Sequence, residues 1–315
     1  MSRIAVIGCG VVGSSWALVF ARAGHEVAVY DAAPPAVDAA LAFARKALAD
    51  LAGQGLAGSE PAEAVLARLK PTTILEEALA GADYVQESAP ERVEIKRELY
   101  KTLDVLAAPE AILASSTSGL PASSFTEPLA HRSRCLVVHP INPPHLVPLV
   151  ELVPAPWTDA AVVERAAALM RRIGQSPIRL SREINGFVVN RLQSALLGEA
   201  FRLVEDGLCS VEDVDKAVSD GLGLRWFFMG PFETIDLNAQ HGVAEYCRNL
   251  GPMYYDLAKE QADPRPWTPA LVTAIEEERR RRTAAEDLPA RRSWRDRCLA
   301  AFVAAKARVL AEHGR

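Results

Sequence analysis

The feature that most restricts the fold of this chain lies in its first 31 residues. A β-branched run, Ile4–Ile7, leads directly into a turn with glycine at its first, third and sixth positions, and a helical stretch follows. The six residues of the turn are Gly8, Cys9, Gly10, Val11, Val12 and Gly13. Gly24 precedes a second β-branched run, Val27–Tyr30, which ends at Asp31. A strand–turn–helix–strand unit with this glycine spacing predicts a parallel sheet that binds a dinucleotide.

The glycines of this turn have separate roles in such a unit. Gly8 permits the tight turn, Gly10 lets the backbone approach a pyrophosphate, and Gly13 lets the helix pack against the strand. The free N–H groups at the start of the helix, near Val11 and Val12, are expected to face the phosphates. The turn is therefore predicted to form the phosphate-binding part of a cofactor site.

Asp31 distinguishes between the two common nicotinamide dinucleotides. A carboxylate at the end of the second strand can accept hydrogen bonds from both hydroxyl groups of a ribose. The residues that follow it are Ala32, Ala33 and Pro34, so no basic side chain would balance a 2′-phosphate. The sequence therefore predicts NAD rather than NADP as the cofactor.

Several polar side chains fall at the ends of further predicted strands. These strands are Tyr84–Gln86, Ile112–Ser116, Leu136–His139 and Leu149–Val153. In an open parallel sheet, ligands collect beyond the carboxyl ends of the strands. Because Asp31, Ser116, Ser118 and His139 all lie at or just after such ends, we expect them to share one edge of the sheet.

A carboxylate interrupts the apolar and proline-rich stretch Val137–Val153. Burying Glu151 in such a run is costly unless a partner compensates its charge, and His139, twelve residues upstream, is the obvious candidate. By itself the stretch also fits a solvated Glu151 and a structural His139. His145 is a rival base, but it follows two prolines and has no predicted partner. The position of His139 directly after a strand favours His139 as a proton acceptor.

The second half of the chain has a different pattern. Helical spacing begins near Asn185, which predicts a doubly wound α/β domain of the Rossmann type over residues 1–184 and an all-α domain over residues 185–315. Apolar residues recur at helical spacing near the end of the chain, at Trp294, Cys298, Leu299, Phe302 and Val303, and we predict that they form a packing stripe. The apolar outer faces of this half predict a homodimer formed through it.

Charge and cysteine content exclude several classes of protein. The 315 residues carry a net charge of −5, with a pI near 5.8, which offers no basic surface to nucleic acid or to an anionic membrane. The five cysteines form no Cys-x-x-Cys pair, which favours a reduced cytoplasmic protein over a disulfide or metal framework. No apolar run reaches the ~18 residues of a membrane span. The chain begins with a predicted strand rather than with a signal peptide.

Two sets of motifs complete the pattern. The first set is Ser116-Thr117-Ser118, His139-Pro140-Ile141-Asn142-Pro143, Leu149-Val150-Glu151 and Gly186-Phe187-Val188-Val189-Asn190-Arg191. The second set is Gly221–Trp226, Met229–Thr234, Leu237–Ala239 and Arg291–Asp296. Together with the glycine turn, the first set resembles the 3-hydroxyacyl-CoA dehydrogenases. The second set resembles the lambda-crystallin / L-gulonate 3-dehydrogenase branch of that family, and the resemblance covers nearly the whole chain.

This resemblance implies roles for particular residues. His139 would be the catalytic base and Glu151 its partner. The residues implied to surround the substrate are Ser118, Asn142 and Asn190. Ser116, at the end of its strand, is a further candidate for binding the cofactor, and the resemblance implies that its nicotinamide side is contacted by Glu91 and Lys96. The last two would otherwise be taken for an exposed pair on a helix.

One departure from the family bears on the substrate. CoA-using relatives present lysines to the CoA phosphates from the helical segment after the second strand. Residues 36–70 of this chain contain four basic and four acidic residues and so form no basic patch. The predicted substrate is therefore a small free acid, with oxidation of L-gulonate to 3-dehydro-L-gulonate as the preferred reaction. A short-chain 3-hydroxyacyl-CoA and a non-catalytic, crystallin-like role stay open as alternatives.

The second half contains candidate residues for recognising such an acid. A free carboxylate requires a cationic partner, and Arg225 is our candidate, although it would also fit a helix cap or an ion pair with Glu233. L-carnitine is a further alternative substrate, because Trp226, Phe227 and Phe228 could supply aromatic rings for its trimethylammonium group.

Overall fold

The computed structural model describes residues 2–314, and most of its first half is built around one eight-stranded sheet. The strands are β1 (Arg3–Ile7), β2 (Glu26–Tyr30), β3 (Leu69–Thr72), β4 (Tyr84–Glu87), β5 (Ile112–Ser115), β6 (Cys135–Pro140), β7 (Leu149–Pro154) and β8 (Ser176–Arg179). They lie in the order β3-β2-β1-β4-β5-β6-β7-β8. This strand order confirms the predicted doubly wound α/β sheet.

One antiparallel strand pair brings two residues that are distant in sequence to the same edge of the sheet. All neighbouring strands run parallel except β6 and β7, which are antiparallel. Strand β7 therefore begins at the edge where β6 and the other parallel strands end. Its register places Glu151 directly opposite His139. Residues twelve positions apart in the sequence thus become cross-strand neighbours at the carboxyl edge of the sheet.

Helices cover both faces of the sheet. They are α1 (Val11–Arg22), α2 (Pro34–Ala52), α3 (Ala62–Leu66), α4 (Leu75–Leu79), α5 (Val93–Leu106), α6 (Ser123–Thr126) and α7 (Ala160–Arg172), with a 3₁₀ turn at Arg132–Arg134. Residues of α1, α2 and α7 share one apolar core, in which Trp16 stacks on Phe20. Residues of α5 and α6 contribute to a second core, in which the ring of Tyr100 contacts that of Phe125.

The two outermost strands were not predicted from the sequence. Strand β3 contains Pro71 and an exposed Lys70, and β8 contains Pro177 and an exposed Arg179. Proline is tolerated at a sheet edge because one side of an edge strand has no neighbour that needs its N–H. Such strands bury little apolar surface, so they lack the apolar alternation by which strands are recognised in a sequence. Helix α1 begins at Val11, three residues before Ser14, where the sequence predicts the helical stretch to begin.

The chain separates into two compact units. One contains residues up to Val189 together with those from Arg295 onward, and the other is Asn190–Trp294. This division differs from the predicted one, which assigned all of residues 185–315 to the helical domain. The physical reason lies in the last helix, where Ala300 is buried in the core of the sheet-containing unit and Leu299 packs against it. The predicted stripe is therefore divided, and Trp294 and Phe302 are exposed.

The remaining helices are those of the second unit and its borders. They are α8 (Val189–Glu205), α9 (Val211–Lys216), α10 (Gly223–Trp226), α11 (Pro231–Leu237), α12 (Val243–Glu260), α13 (Pro269–Arg282) and α14 (Leu288–His313). Among the described residues of this unit, Val211 and Thr234 alone are buried. Across residues 2–314, no helix has both the length and the apolar character that crossing a membrane requires.

Candidate active site

The glycine turn between β1 and α1 leaves space on one side only. A Cβ atom at Gly13 would lie 1.8 Å from the carbonyl oxygen of Gly8, and one at Gly8 would lie 2.7 Å from that of Ser88. Gly8 also has a φ of 102°, which side chains rarely adopt. A Cβ at Gly10, in contrast, would meet no atom within 4 Å. The protein therefore fills the space at Gly8 and Gly13 and leaves it open at Gly10, as the approach of a pyrophosphate requires.

The start of α1 and the end of β2 fit the rest of a dinucleotide. No side chain caps α1, and Val11 in its first turn is exposed, so the first N–H groups of the helix are available to an anion. The Asp31 carboxylate accepts hydrogen bonds from the N–H of Cys9 at 2.9 Å and of Ala33 at 3.0 Å. Both contacts hold it beside the turn. Burial, and then the charge of Asp31, raises the pKa of the Cys9 thiol to about 12, so this thiol stays protonated.

His139 and Glu151 form the expected pair on β6 and β7. Nδ1 of His139 lies 2.7 Å from Oε2 of Glu151, and both side chains are buried. Because a carboxylate oxygen accepts the proton of Nδ1, the neutral imidazole carries its hydrogen there and leaves Nε2 as a lone-pair acceptor. The arrangement is therefore that of a base whose tautomer is set by a neighbouring carboxylate.

Glu151 stays ionised although its side chain is inaccessible to water. Burial alone would raise its pKa, but hydrogen bonds from His139 and from the backbone N–H groups of Val188 and Val189 hold the pKa below its usual value. The two N–H groups lie 2.7 Å and 3.1 Å from Oε1. Each carboxylate oxygen thus has its own partners, which compensates the cost of burying the charge.

A second carboxylate, Glu91, organises the loop after β5. Its Oε1 accepts hydrogen bonds from Thr117 Oγ1 at 2.5 Å, from Ser118 N–H at 2.9 Å and from Gly119 N–H at 3.1 Å. Burial raises the pKa of Glu91, but these hydrogen bonds and the charge of Lys96 more than offset it and lower the pKa overall. Glu91 thereby fixes the backbone beside Ser118, whose side chain is exposed.

Lys96 does not lie on the surface, and its main partner was not predicted. The side chain of Lys96 is 1% exposed, and its Nζ lies 2.7 Å and 2.9 Å from the two carboxylate oxygens of Glu87 and 3.7 Å from Glu91. Ser115 Oγ donates to the same Glu87 carboxylate at 2.5 Å. A carboxylate that ends an apolar strand was the available signal, as it was for Glu151. It was missed because the strand was predicted to end one residue earlier, at Gln86.

The side chain of Ser116 lies at the end of β5, among polar groups from β4. Its Oγ is 2.7 Å from Nε2 of Gln86 and 2.9 Å from Oγ of Ser88. The same amide of Gln86 reaches the carbonyl of Val138 at 3.4 Å on β6. These contacts connect three neighbouring strands at the edge where the predicted cofactor residues lie.

His145, the rival base, lies in a different environment. Its Nδ1 is 2.7 Å from Oγ of Ser15 on α1, and its ring contacts Phe43 at right angles. The pKa of His145 is lowered to about 4, mainly by burial. A ring with so low a proton affinity is a poor acceptor near neutral pH, so the structure favours His139.

The other predicted substrate residues are spread over both units. Asn142 is exposed in the connection between β6 and β7, next to the cis peptide bond before Pro143. Asn190 is the second residue of α8, and Arg225 lies exposed on α10.

Family models and known proteins match almost the entire chain. Residues 3–184 match the NAD-binding domain of 3-hydroxyacyl-CoA dehydrogenase, and residues 186–285 match the C-terminal domain of the same family. A lambda-crystallin homolog from Bos taurus is 46% identical over 299 residues, which cover 94% of this chain and 93% of that protein. An L-carnitine dehydrogenase from Pseudomonas aeruginosa is 36% identical over 100% of this chain and 97% of its own length.

A solved structure agrees with these matches. It is the crystal structure of 5-formyl-3-hydroxy-2-methylpyridine 4-carboxylic acid 5-dehydrogenase, an NAD⁺-dependent dismutase. It superposes with a TM-score of 0.72 at 31% identity, covering 90% of this chain and 96% of the other. The glycine turn with its open side, the carboxylate at the end of β2 and the match of residues 3–184 to an NAD-binding domain agree on the cofactor, which is NAD. The chain therefore belongs to the 3-hydroxyacyl-CoA dehydrogenase family, whose members are NAD-dependent oxidoreductases.

Proposed function

We propose that this protein oxidises the 3-hydroxyl group of a small hydroxy acid, with L-gulonate as the substrate and 3-dehydro-L-gulonate as the product. The observation that carries the proposal is the buried contact of 2.7 Å between His139 and Glu151 at the carboxyl edge of the sheet. That edge also holds the glycine turn and Asp31. A base with a fixed tautomer beside a dinucleotide site is what alcohol oxidation requires.

In the proposed mechanism His139 acts as the general base. Its Nε2 takes the proton of the substrate hydroxyl, and Glu151 stabilises the imidazolium that forms. NAD, when bound, supplies the acceptor for the hydride that leaves the same carbon. Ser118 and Asn190 are proposed to hold the reacting oxygen, and Asn142 to contact the substrate. Glu91, Lys96 and Ser116 are proposed to bind the cofactor. The buried ammonium of Lys96 lies 3.7 Å from the carboxylate of Glu91 and is proposed to act on the cofactor through Glu91.

Ion pairs in the segment after β2 support a small acid over a CoA thioester. Arg45 pairs with Glu63 at 3.4 Å, and Lys46 pairs with Asp50 at 2.6 Å. Arg68 pairs with Glu60 at 2.5 Å. Cations that already have carboxylate partners present little net positive charge to the phosphates of CoA. We therefore keep a short-chain 3-hydroxyacyl-CoA as the alternative rather than as the preferred substrate.

L-Carnitine is the second candidate substrate, favoured by the relative named L-carnitine dehydrogenase. The rings of Phe227 and Phe228 lie 4.9 Å apart at right angles, next to a partly exposed Trp226. Aromatic faces of this kind bind quaternary ammonium groups. For L-gulonate, Arg225 is proposed as the partner of the carboxylate, since a guanidinium matches a carboxylate with two parallel hydrogen bonds.

The protein is also proposed to be a homodimer that associates through its second unit. Almost none of the side chains of Asn190–Trp294 are buried, whereas large apolar residues such as Leu208, Leu224 and Phe232 are exposed. Helices with so little buried surface need an apolar partner to be stable. Light scattering coupled to gel filtration tests this proposal, and a monomer at micromolar concentration would contradict it.

A substrate panel combined with one variant tests the enzymatic proposal. NADH formation is followed by absorbance with L-gulonate, L-carnitine, 3-hydroxybutyrate and 3-hydroxybutyryl-CoA. His139→Gln should lower turnover of the preferred substrate by about 10²–10⁴-fold, because it removes proton transfer. Its affinity for NADH, measured by calorimetry, should stay near that of the unmodified protein. Loss of NADH binding together with turnover would show that the variant is misfolded, and near-normal turnover would remove His139 from the mechanism.

Lack of turnover with every acid in the panel would favour the non-catalytic, crystallin-like alternative. Turnover of L-carnitine or of the CoA thioester in preference to L-gulonate would replace the proposed substrate and leave the role of His139 in place. The two parts of the proposal are therefore tested separately.

A further inference from the structure

The hydrogen bonds of Glu151 divide its carboxylate into two halves. Oε2 faces His139, and Oε1 accepts the backbone N–H groups of Val188 and Val189. Because the side chain is inaccessible to water, no solvent replaces these partners if they move. The backbone around Val188 is therefore as much a part of this site as the imidazole.

The two N–H groups converge because the turn before them has an unusual conformation. Gly186 has a φ of 74° and Phe187 a φ of 50°, so both lie in the left-handed region. Phe187 is the single residue other than glycine with a positive φ among residues 2–314. A bulky side chain adopts this conformation at a cost in free energy. The conformation is retained only where the surrounding structure holds it in place.

Burial of the aromatic ring fixes this conformation. The side chain of Phe187 is fully buried in the core on the α5 and α6 side of the sheet, and its ring centroid lies 5.6 Å from that of His139. The N–H of Phe187 donates to the carbonyl of Ile184 at 3.1 Å and closes the turn. The ring thus anchors the turn beside the base, and the turn orients the N–H groups that follow.

Helix α8 adds to the same effect. It begins at Val189, and the N–H group of this first residue is one of the two donors to Glu151. Successive N–H groups after a left-handed turn also form a concave site for an anion. Glu151 is thereby bound as an anion would be, by one helix start and one turn.

We propose that Phe187 is a positioning residue, which acts through Glu151 by holding the Val188 and Val189 N–H groups on Oε1, so that Oε2 faces Nδ1 of His139. This inference rests on the proposed role of His139 as the base. The turn fixes which carboxylate oxygen faces the imidazole, and the resulting Nδ1–H tautomer leaves Nε2 for the substrate. Gly186 allows the chain to enter the turn, and the ring of Phe187 keeps it there.

The elements that pack against Glu151 are β6, β8 and the start of α8, and the charged residue in the first turn of α8 is Arg191. On β6 the titratable neighbour is His139 itself, and on β8 the charged residue is Arg179. Arg179 pairs with Glu164 at 2.9 Å and is in register with Leu152, which points to the opposite face of the sheet from Glu151. The partners of the carboxylate are thus His139 on Oε2 and the N–H groups of Val188 and Val189 on Oε1. These N–H groups stabilise the carboxylate and oppose protonation of the pair as a whole.

Val189→Pro tests the inference at the backbone. Proline at the first position of a helix removes the N–H and otherwise fits the helix, and Val189→Ala is the control that shortens the side chain and keeps the N–H. Removing one donor should move the acid limb of the kcat/KM profile to higher pH by about 0.5–1 unit. The NMR titration of the His139 ring, assigned with His139→Gln, should move in the same direction, and both shifts are measured relative to Val189→Ala, which keeps the N–H.

Substitution of Phe187 tests the side chain. Phe187→Ala should show the same upward shift with a lower kcat and an unchanged KM for NAD, and Phe187→Leu, which refills most of the buried volume, should recover part of both. Thermal melting identifies a Phe187 variant that fails to fold. If one does, the comparison of Val189→Pro with Val189→Ala tests the inference instead. Coincident titrations of Val189→Pro and Val189→Ala, or a shift to lower pH, would overturn the inference.

The NMR titration needs no substrate, so it separates this inference from the proposed function. A shifted titration in a protein that does not oxidise L-gulonate would support the positioning role and refute the substrate. Normal turnover of L-gulonate by the unmodified protein, with titrations that do not shift in the variants, would support the substrate and refute the positioning role.

Discussion

Replacing Glu151 by glutamine should slow the enzyme and move its pH profile in a defined direction. The contact of 2.7 Å between Nδ1 and Oε2 puts the two charges of the protonated pair about 4 Å apart, where their attraction is roughly 4 kcal/mol at an effective dielectric constant of about 20. That energy corresponds to about 3 pH units at most, and relaxation of the site reduces it. We expect the acid limb of kcat/KM to move to lower pH by about 1–3 units, because a carboxylate favours the imidazolium.

The same substitution should lower kcat by about 30–1000-fold, since an imidazolium forms as the proton is transferred and about 2–4 kcal/mol of its stabilisation is lost. An amide has one oxygen, which cannot accept from both His139 and the two backbone N–H groups. If its NH₂ group faces Nδ1, the imidazole takes the opposite tautomer and Nε2 no longer accepts a proton.

The assay is the pH dependence of kcat/KM for NADH formation, with Glu164→Gln as the control. Glu164 is an exposed carboxylate on α7, away from the pair, so its profile should match that of the unmodified protein. An acid limb of Glu151→Gln that stays in place, or that moves to higher pH, would refute the electrostatic coupling of Glu151 to His139.

Three further predictions follow from other contacts. Asp31→Ser combined with Ala32→Arg should narrow or reverse the preference for NAD over NADP, measured as the ratio of kcat/KM values, because a repulsion is removed and a phosphate partner is added. Lys96→Met should reduce the free energy of unfolding by about 3–5 kcal/mol in urea titrations, because it leaves Glu87 buried and unpaired, and adding Glu87→Gln should restore much of the loss. Arg225→Met should raise KM for the free acid by about 30–1000-fold, which corresponds to about 2–4 kcal/mol of binding free energy, and should leave KM for an uncharged ester analogue almost unchanged. Equal increases in KM for acid and ester would contradict a role for Arg225 in binding the carboxylate.

The elements that could be predicted from the sequence are those whose signal is local. The glycine turn and Asp31 lie within one strand–turn–helix unit, and their spacing alone determines how they meet. The contact between His139 and Glu151 was predictable for a related reason. A charged residue in an apolar run needs a partner, and the proline-rich connection brings one strand back beside the other.

The features that escaped prediction depend on parts of the chain far apart in sequence. Burial of Ala300 in the sheet-containing unit cannot be read from the helix that carries it, because that helix has apolar residues on several sides. The conformation of Phe187 is likewise set by the space its ring occupies in the core. Local sequence favours glycine at a positive φ, and no local pattern indicates that phenylalanine would adopt one.

Two buried carboxylates, Glu87 and Glu151, lie at the carboxyl ends of parallel strands or opposite them, and each has a single cationic or basic partner. The identity of the partner separates their roles. The ammonium of Lys96 contacts both carboxylate oxygens of Glu87 and lies 3.7 Å from Glu91, which in turn accepts from the N–H of Ser118, so this pair supports the loop beside Ser118. The imidazole of His139 contacts Glu151 through Nδ1, which leaves Nε2 as an acceptor, and we propose that this pair takes the substrate proton. The same edge of the sheet therefore holds one pair that supports the loop beside Ser118 and one pair that we propose as the acid–base group.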